Sequence, residues 1–286
     1  MHNIDVIIPA FNERETIGKV INGIRKVLGG SCRIIVVDDG SGDETAQAAE
    51  ASGAEVIRHP YHIGNGASVK TGLRKAGSEI ALLMDGDGQH PVEQIPSLLS
   101  HIAEYDMVIG ARDFSGISVR NLANRFYNLF AGYVTQFGIR DLTSGFRLVK
   151  RDVAMRFLYL LPNGFSYPTT LTLAFLKTGR TVKYVPVSSC LRRGGRSKIR
   201  LFPDGIKFLL IITRIATFFS PLRVFLPVSL FFLLSGFFYY LYTYITARRF
   251  TNMAVFLLVT SVLIFMLGLV SEQISQLRMD KTEDRS

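Results

Sequence analysis

The sequence predicts an α/β domain with a mostly parallel sheet, followed by amphipathic interface helices and a C-terminal two-helix transmembrane hairpin. Through residues 4–110, short and almost continuous apolar runs alternate with helical segments. This alternation is typical of parallel strands whose two faces are covered by helices. Two uncharged apolar stretches, residues 224–247 and 250–270, are each long enough to cross a bilayer as a helix.

The individual elements follow from apolar periodicity and from glycine, proline and capping signals. The first helix is expected to begin with a capping box, in which Asn12 is the N-cap and Glu15 its partner, and to end before Gly29. The predicted strands are 4–9, 33–39, 54–58, 80–84, 107–110 and 182–187, and residues 143–148 are predicted as a turn that leads into a further strand. The predicted helices are 13–28, 44–52, 67–77, 91–105, 119–137, 152–160 and 168–177. The sequence leaves open whether helix 119–137 packs in the core or lies on a membrane surface.

The charge of the chain is concentrated in one segment. The formal net charge is +10 over 286 residues, and between residues 180 and 223 ten lysines and arginines accompany a single acid, Asp204. Such a block favours an anionic membrane surface or a phosphate-bearing ligand as partner. Nucleic acid is rejected as a partner, because the block runs directly into membrane-length apolar sequence and no nucleic-acid-binding module is recognisable.

The membrane arrangement is predicted from the same features. Two closely spaced spans form a hairpin, so both termini are expected on one side, and the basic block places that side in the cytoplasm. The first strand begins without a signal peptide, and two distant cysteines fit a reducing compartment. The expected divisions are the α/β domain (1–200), a juxtamembrane amphipathic helix (201–222), the hairpin (223–272) and a cytoplasmic tail (273–286). A helical hairpin buried in a soluble protein is the alternative.

Polar groups follow several of the predicted strands at their carboxyl ends. They are Pro9–Glu13, Asp38 and Asp39, the segment from Asp85 to Gln89, and Arg112. Because ligands of parallel sheets bind beyond the carboxyl ends of the strands, these groups are expected at one site. Asp85, Asp87 and Gln89 offer hard oxygen ligands to Mg²⁺ or Mn²⁺, ions that also bind diphosphate oxygens. An Asp-x-Asp sequence alone also fits an ordinary acidic turn.

If the ligand at this edge is a nucleotide-diphosphate sugar, its base or ribose needs a hydrogen-bond acceptor, and Asp39 is a candidate. An acceptor that carries a phosphate needs cations, although each basic residue taken singly also fits a solvated or lipid-facing charge. The candidate cations are Arg112, Arg125, Arg193, Arg196 and Lys198. A phosphate monoester is already largely ionised at neutral pH, so such an acceptor requires no general base.

Five ordered motifs carry a family resemblance across residues 3–200. They are Ile7–Glu13, Val36–Ser41, Gly64–Ala67, Met84–Pro91 and Thr143–Arg147. With these motifs the chain resembles family 2 glycosyltransferases of the GT-A fold, a Rossmann-like and mostly parallel sheet. Within that family it is similar to the dolichyl- and polyprenyl-phosphate mannose and glucose synthases. The resemblance implies an inverting transfer of a hexose from GDP-mannose or UDP-glucose to polyprenyl or dolichyl phosphate.

The resemblance also implies roles for individual residues. The nucleotide sugar would be bound by Pro9, Phe11, Glu13, Val37, Asp39, Asp85, Gly86 and Asp87. The metal ligands would be Asp85, Asp87 and Gln89, and the lipid phosphate would be bound by Arg125, Arg193, Arg196 and Lys198. Asp87, Arg112 and Arg125 would be the catalytic residues. Gly86 and Gly88 stand where alanine and leucine are commoner in the family, which leaves the identity of the sugar open.

Two other kinds of function remain as alternatives. One is transfer to another lipid such as diacylglycerol, or to a growing polysaccharide. The processive polysaccharide synthases carry a Gln-x-x-Arg-Trp segment. This chain has no tryptophan, which argues against the polysaccharide version. The other is a non-catalytic membrane module that senses sugar nucleotides, which predicts a damaged metal motif. The sequence permits a homo-oligomer and does not identify the base, the sugar or the prenyl chain length.

Overall fold

The computed structural model describes residues 3–112, 119–164, 166–188 and 201–283. Contacts divide the chain into two compact units, Met1–Phe208 and Leu209–Ser286. The strands are β1 (Ile4–Ala10), β2 (Cys32–Asp38), β3 (Glu55–Arg58), β4 (Ile80–Leu83), β5 (Met107–Arg112), β6 (Arg147–Lys150) and β7 (Val182–Val187). The helices are α1 (Arg14–Leu28), α2 (Thr45–Ala51), α3 (Asn65–Lys75), α4 (Ile95–Leu99), α5 (Val119–Thr135), α6 (Arg151–Arg156), α7 (Tyr167–Lys177), α8 (Leu201–Phe219), α9 (Leu222–Ala247) and α10 (Asn252–Glu283).

The first unit is built on a seven-stranded sheet in the order β3-β2-β1-β4-β6-β5-β7. Strand β6 runs antiparallel to β4 and β5, and the other neighbouring strands are parallel. The predicted mostly parallel sheet is therefore confirmed. Because β6 is reversed, the turn that precedes it lies at the same edge as the carboxyl ends of β1, β4 and β5.

The core of this unit lies on the central strands. All seven residues of β1 are buried, and α1 presents Ile17, Ile21 and Ile24 to the sheet with no solvent exposure. Burying each of these side chains contributes about 1.5–3 kcal/mol. Asp5 is buried within β1, where its Oδ2 accepts hydrogen bonds from the backbone of Gly77 (2.6 Å) and Ser78 (2.9 Å). These bonds fix the turn that leads into β4.

The capping box predicted at Asn12 is wrong. Glu13 occupies the N-cap of α1 without a side-chain cap, and Asn12 has a left-handed φ of 56°. Asn12 Oδ1 instead accepts a hydrogen bond from Gly42 N (2.9 Å), and the backbone N–H of Asn12 donates to Ser41 Oγ (2.9 Å). Asn12 therefore joins the end of β1 to the turn after β2, a long-range contact that competes with local capping.

The helix predicted over residues 91–105 is also wrong in its extent. A 3₁₀ turn covers Val92–Gln94, α4 covers only Ile95–Leu99, and single turns follow. Pro96 has no N–H to donate to Val92, which favours the tighter 3₁₀ start.

Helix α5 confirms the helix predicted near residues 119–137 and has two unlike apolar faces. Ala131 and Val134 are buried, whereas Phe126, Leu129 and Tyr133 are exposed at helical spacing. One face therefore packs on the protein, and the other presents apolar side chains outward.

The second unit contains two helices, α9 and α10, that are long and apolar enough to cross a membrane. Ser229 and Ser261 exchange hydrogen bonds, each hydroxyl donating to the other residue's carbonyl at 3.0 and 2.9 Å. Gly236 packs on Leu258, so small residues bring the two helices close together. Most large apolar side chains of the pair are exposed, which disagrees with a hairpin buried in a soluble core. The predicted hairpin is therefore confirmed, and α10 continues into the predicted tail.

Candidate active site

The candidate site lies at the edge where β1, β2 and β4 end and β6 begins. A cavity of about 40 Å³ opens beside Asp85 and is lined also by Asn65, Thr143, Gly145 and residues 166–169. The sequence predicted Asp85 at this edge, but it did not predict that α3, the turn before β6 and the start of α7 would surround it. That arrangement depends on the reversed direction of β6.

Asp85 is held as an ionised carboxylate. Its Oδ2 lies 3.3 Å from His90 Nε2, and its Oδ1 accepts from Asn65 Nδ2 at 3.4 Å. Burial is the largest influence and opposes ionisation, but the hydrogen bond and charge of His90, the Asn65 amide and the charge of Arg112 together lower the pKa of Asp85. An ionised, partly exposed carboxylate is the form that binds a divalent cation.

The turn after Asp85 is fixed from both sides. Gly86 is buried, and its carbonyl accepts from Thr16 Oγ1 at 2.9 Å. Gly88 has a φ of 72°, a conformation that glycine adopts without strain. Asp87 is half-buried, and its Oδ1 accepts from Gln89 N at 3.0 Å. The turn thus brings Asp85, Asp87 and Gln89 to one edge.

These three residues fit a hard divalent cation in the chemistry of their donors, two carboxylates and one amide oxygen. Among the described residues, no three His, Cys, Asp or Glu side chains gather into a metal cage. A cation at Asp85 and Asp87 would therefore take further oxygens from water or from a bound diphosphate.

Arg112 is oriented by a buried acid that the sequence analysis missed. Its Nε and Nη2 donate to the two oxygens of Asp141 at 2.8 and 3.1 Å, and Nη2 also donates to Thr143 Oγ1 at 2.7 Å. Burial opposes the ionisation of Asp141, but the hydrogen bonds and charge of Arg112 outweigh it and lower the pKa of Asp141. The only sequence signal for Asp141 is its position just before the Thr143–Arg147 motif.

Asp39 is surrounded by polar groups of its own chain, of which His59 and the backbone N–H groups of residues 63 and 64 donate hydrogen bonds to it. Its Oδ1 lies 2.7 Å from His59 Nδ1 and 3.1 Å from Ile63 N, and its Oδ2 lies 2.7 Å from His62 Nδ1 and 2.8 Å from Gly64 N. Burial opposes ionisation here as well, and these donors outweigh it and lower the pKa of Asp39. The sequence analysis missed both histidines, since nothing in their spacing links them to Asp39.

The other predicted nucleotide residues lie at or near the same edge. Phe11 is half-buried after β1, and its ring centroid lies 4.2 Å from that of His62. Glu13 is the N-cap residue of α1, and its Oε2 lies 3.1 Å from Thr16 Oγ1. Pro9 and Val37 pair with each other inside the sheet and are buried there.

The predicted phosphate-binding residues are not gathered in the part of the chain that the structure describes. Arg125 is exposed on α5. Arg193, Arg196 and Lys198 lie outside the described residues. Of the predicted cations, Arg112 alone is seen beside the carboxylate edge.

Models of two known families match the chain. The model described as "Glycosyl transferase family 2" matches residues 5–158, and that described as "GtrB C-terminal hairpin" matches residues 220–277. The first match covers the edge that carries Asp39, Asp85 and Arg112. The second covers the apolar hairpin.

Similar proteins are named for sugar transfer to lipid phosphates. Polyprenol monophosphomannose synthase from Mycolicibacterium smegmatis is 31% identical over 68% of this chain and 80% of the relative. Dolichol-phosphate mannosyltransferase from Pyrococcus furiosus is 32% identical over 69% of this chain and 59% of that longer relative.

The fold is shared with a solved structure. Glucosyl-3-phosphoglycerate synthase from Mycobacterium tuberculosis, crystallised with Mn²⁺, UDP and glucosyl-3-phosphoglycerate, aligns with a TM-score of 0.63. The alignment covers 75% of this chain and 80% of that chain at 21% identity. Together with the family matches, this shows that the chain belongs to glycosyl transferase family 2, has the GT-A fold and ends in a GtrB-type hairpin.

Proposed function

We propose that this glycosyltransferase moves a hexose from GDP-mannose or UDP-glucose to polyprenyl or dolichyl phosphate. The observation that carries the proposal is the Asp85 carboxylate, whose pKa its surroundings lower, beside a cavity lined by Asn65 and Thr143, in a chain that also has a membrane-length hairpin. A carboxylate edge of this kind fits a nucleotide-diphosphate sugar with its cation, and the hairpin fits an acceptor that resides in a membrane. Two relatives named as lipid-phosphate mannosyltransferases support the choice of acceptor.

The donor is bound along the carboxyl edge of the sheet. Pro9, Phe11, Glu13, Val37 and Asp39 form the nucleoside side. Asp85, Asp87 and Gln89 would hold Mg²⁺ or Mn²⁺, and Gly86 lets the backbone approach the diphosphate. A cation held there would supply positive charge against the departing nucleoside diphosphate.

The acceptor phosphate is the nucleophile. One of its oxygens attacks the anomeric carbon opposite the departing diphosphate, which inverts the configuration and gives a β-linked sugar phosphate. Because the phosphate is largely ionised at neutral pH, the protein must orient it rather than deprotonate it. Arg112, which Asp141 holds in position, and Arg125 serve this role, together with the basic segment that contains Arg193, Arg196 and Lys198.

The hairpin anchors the enzyme in the membrane as two spans. The catalytic domain and both termini are in the cytoplasm, where nucleotide sugars are available, since two spans return the chain to its starting side. The exposed apolar face of α5, with Phe126 and Leu129, suits contact with the lipid surface.

The proposal is tested with purified protein in detergent, Mn²⁺ and either undecaprenyl or dolichyl phosphate. Radiolabelled GDP-mannose and UDP-glucose are offered separately, and label in the organic phase is counted. We expect lipid-soluble label from one donor, and its loss with EDTA or without lipid phosphate. Transfer to diacylglycerol in place of lipid phosphate, or binding of nucleotide without any transfer, would contradict the proposal.

Replacing Gly145 with alanine is expected to lower transfer about a hundredfold, the cost typical of misplacing a reacting group by about 1 Å. A Cβ at residue 145 would lie 2.6 Å from Asp85 Oδ2, so the carboxylate must move. Initial rates of lipid labelling measure the effect. Gly138→Ala is the matched control, because a Cβ there meets nothing within 4 Å. Equal rates for the two variants would exclude Gly145 from positioning Asp85.

A further inference from the structure

His62 makes two contacts at the nucleoside side of the site. Its Nδ1 lies 2.7 Å from Asp39 Oδ2, and its ring lies against Phe11 with centroids 4.2 Å apart and planes tilted by 31°. The ring nitrogen approaches the carboxylate oxygen closely. His62 therefore places a ring nitrogen beside Asp39 Oδ2 and a ring face against Phe11.

Asp39 is already enclosed by groups of its own chain. Three hydrogen bonds reach its oxygens, from His59 and from the backbone N–H groups of residues 63 and 64, and the His62 ring lies 2.7 Å from Oδ2. A ligand that reaches Asp39 must displace one of them.

These four groups differ in how easily a ligand displaces them. The side chain of His59 is only 9% exposed, and its Nε2 is also bonded to Thr71 Oγ1 at 3.0 Å. The two N–H groups belong to the backbone that leads into α3. The side chain of His62 is 56% exposed and leaves by rotation of its own bonds. Of these groups, the His62 side chain is therefore the one that a ligand displaces at least cost.

We propose that His62 occupies the nucleobase subsite of this enzyme until the base of the donor displaces it. The inference rests on the proposed nucleotide-sugar donor and adds a residue to the nucleoside side. A base that replaces His62 stacks on Phe11, as the His62 ring does, and donates a ring N–H to Asp39. Guanine and uracil carry such an imino N–H, whereas adenine and cytosine do not.

The inference predicts the direction of a mutational effect. Removing the His62 side chain removes the competitor, so His62→Ala should bind the nucleotide more tightly than the wild-type chain. A partly exposed polar contact is worth up to about 1 kcal/mol, and the lost ring contact adds to it, which together give about a three- to tenfold gain in affinity. A histidine that instead contacted the bound base would give a loss.

The experiment is calorimetric titration of full-length protein in detergent with Mn²⁺ and GDP, UDP, ADP or CDP. We expect GDP or UDP to bind, ADP and CDP to bind at least about tenfold more weakly, and His62→Ala to tighten the binding of the preferred nucleotide. His101→Ala, a histidine outside the site, should leave the affinity unchanged. Weaker or unchanged binding by His62→Ala would overturn the inference and leave the proposed donor class standing.

A second measurement reports on the displacement itself. In protein labelled on its histidine rings, the NMR signal that His62→Ala removes should shift when the preferred nucleotide saturates the site. Saturation without a shift of that signal would overturn the inference. If no nucleoside diphosphate binds to the wild type or to His62→Ala, the proposed donor and this inference fall together.

Discussion

Asparagine in place of Asp87 is expected to lower the initial rate of lipid labelling about a thousandfold, the scale of several kcal/mol of lost charge stabilisation. Asp87 Oδ1 accepts from Gln89 N at 3.0 Å, and the side-chain oxygen of asparagine keeps that bond. The turn is therefore preserved while the negative charge that holds the cation is lost. Raising the Mn²⁺ concentration should restore part of the activity.

Asp152→Asn is the control for this change, because Asp152 is an exposed acid whose side chain pairs only with its neighbour Arg151 among the contacts described. It should transfer sugar at the wild-type rate. An Asp87→Asn variant that labels lipid as fast as the wild type would remove Asp87 from the metal site and from catalysis.

Methionine in place of Arg147 is expected to destabilise the catalytic domain by about 3 kcal/mol, because the buried Ser144 carbonyl loses its donor and Pro168 O keeps its bond from Thr172 Oγ1 without that from Arg147. Arg147 has no solvent exposure, and it donates to Ser144 O (3.1 Å), to Pro168 O (2.9 Å) and to Thr172 Oγ1 (3.1 Å). For a domain of this size the loss corresponds to a fall in Tm of about 6–12 °C. Thermal unfolding of the full chain in detergent measures it.

Arg74→Met is the matched control, since Arg74 is exposed on α3, and its Tm should stay within about 1 °C of the wild type. If Arg147→Met unfolds at the wild-type temperature, then the Ser144 and Pro168 carbonyls find other donors and Arg147 does not stabilise the site. If the domain stays folded at assay temperature but transfers poorly, Arg147 acts by positioning the turn before β6.

The sequence was sufficient to predict what depends on local patterns. Continuous apolar runs predicted the strands, and the acids at the ends of β2 and β4 predicted the edge where Asp39 and Asp85 lie. The uncharged lengths of α9 and α10 predicted the hairpin.

What the sequence did not predict depends on pairing between distant segments. The reversal of β6 brings Gly145 against Asp85, and no local signal separates an antiparallel neighbour from a parallel one in a short apolar run. Asp141 beneath Arg112, and His59 and His62 around Asp39, are likewise contacts across the fold. At Asn12 a long-range bond to the turn after β2 replaced the predicted cap.

The reversed strand gives the two sides of the site unequal stiffness. On one side the turn before β6 is tied to β5 through Ser144 Oγ and Gly110 O at 2.6 Å, and it continues into a strand bonded to both neighbours. On the other side the loop between β3 and α3 is bonded to Asp39 through His59 and the N–H groups of residues 63 and 64, and the His62 ring beside them is exposed. With the proposed donor, the sugar end would meet the turn that β6 holds, and adjustment to different nucleotides would fall on the His62 side chain.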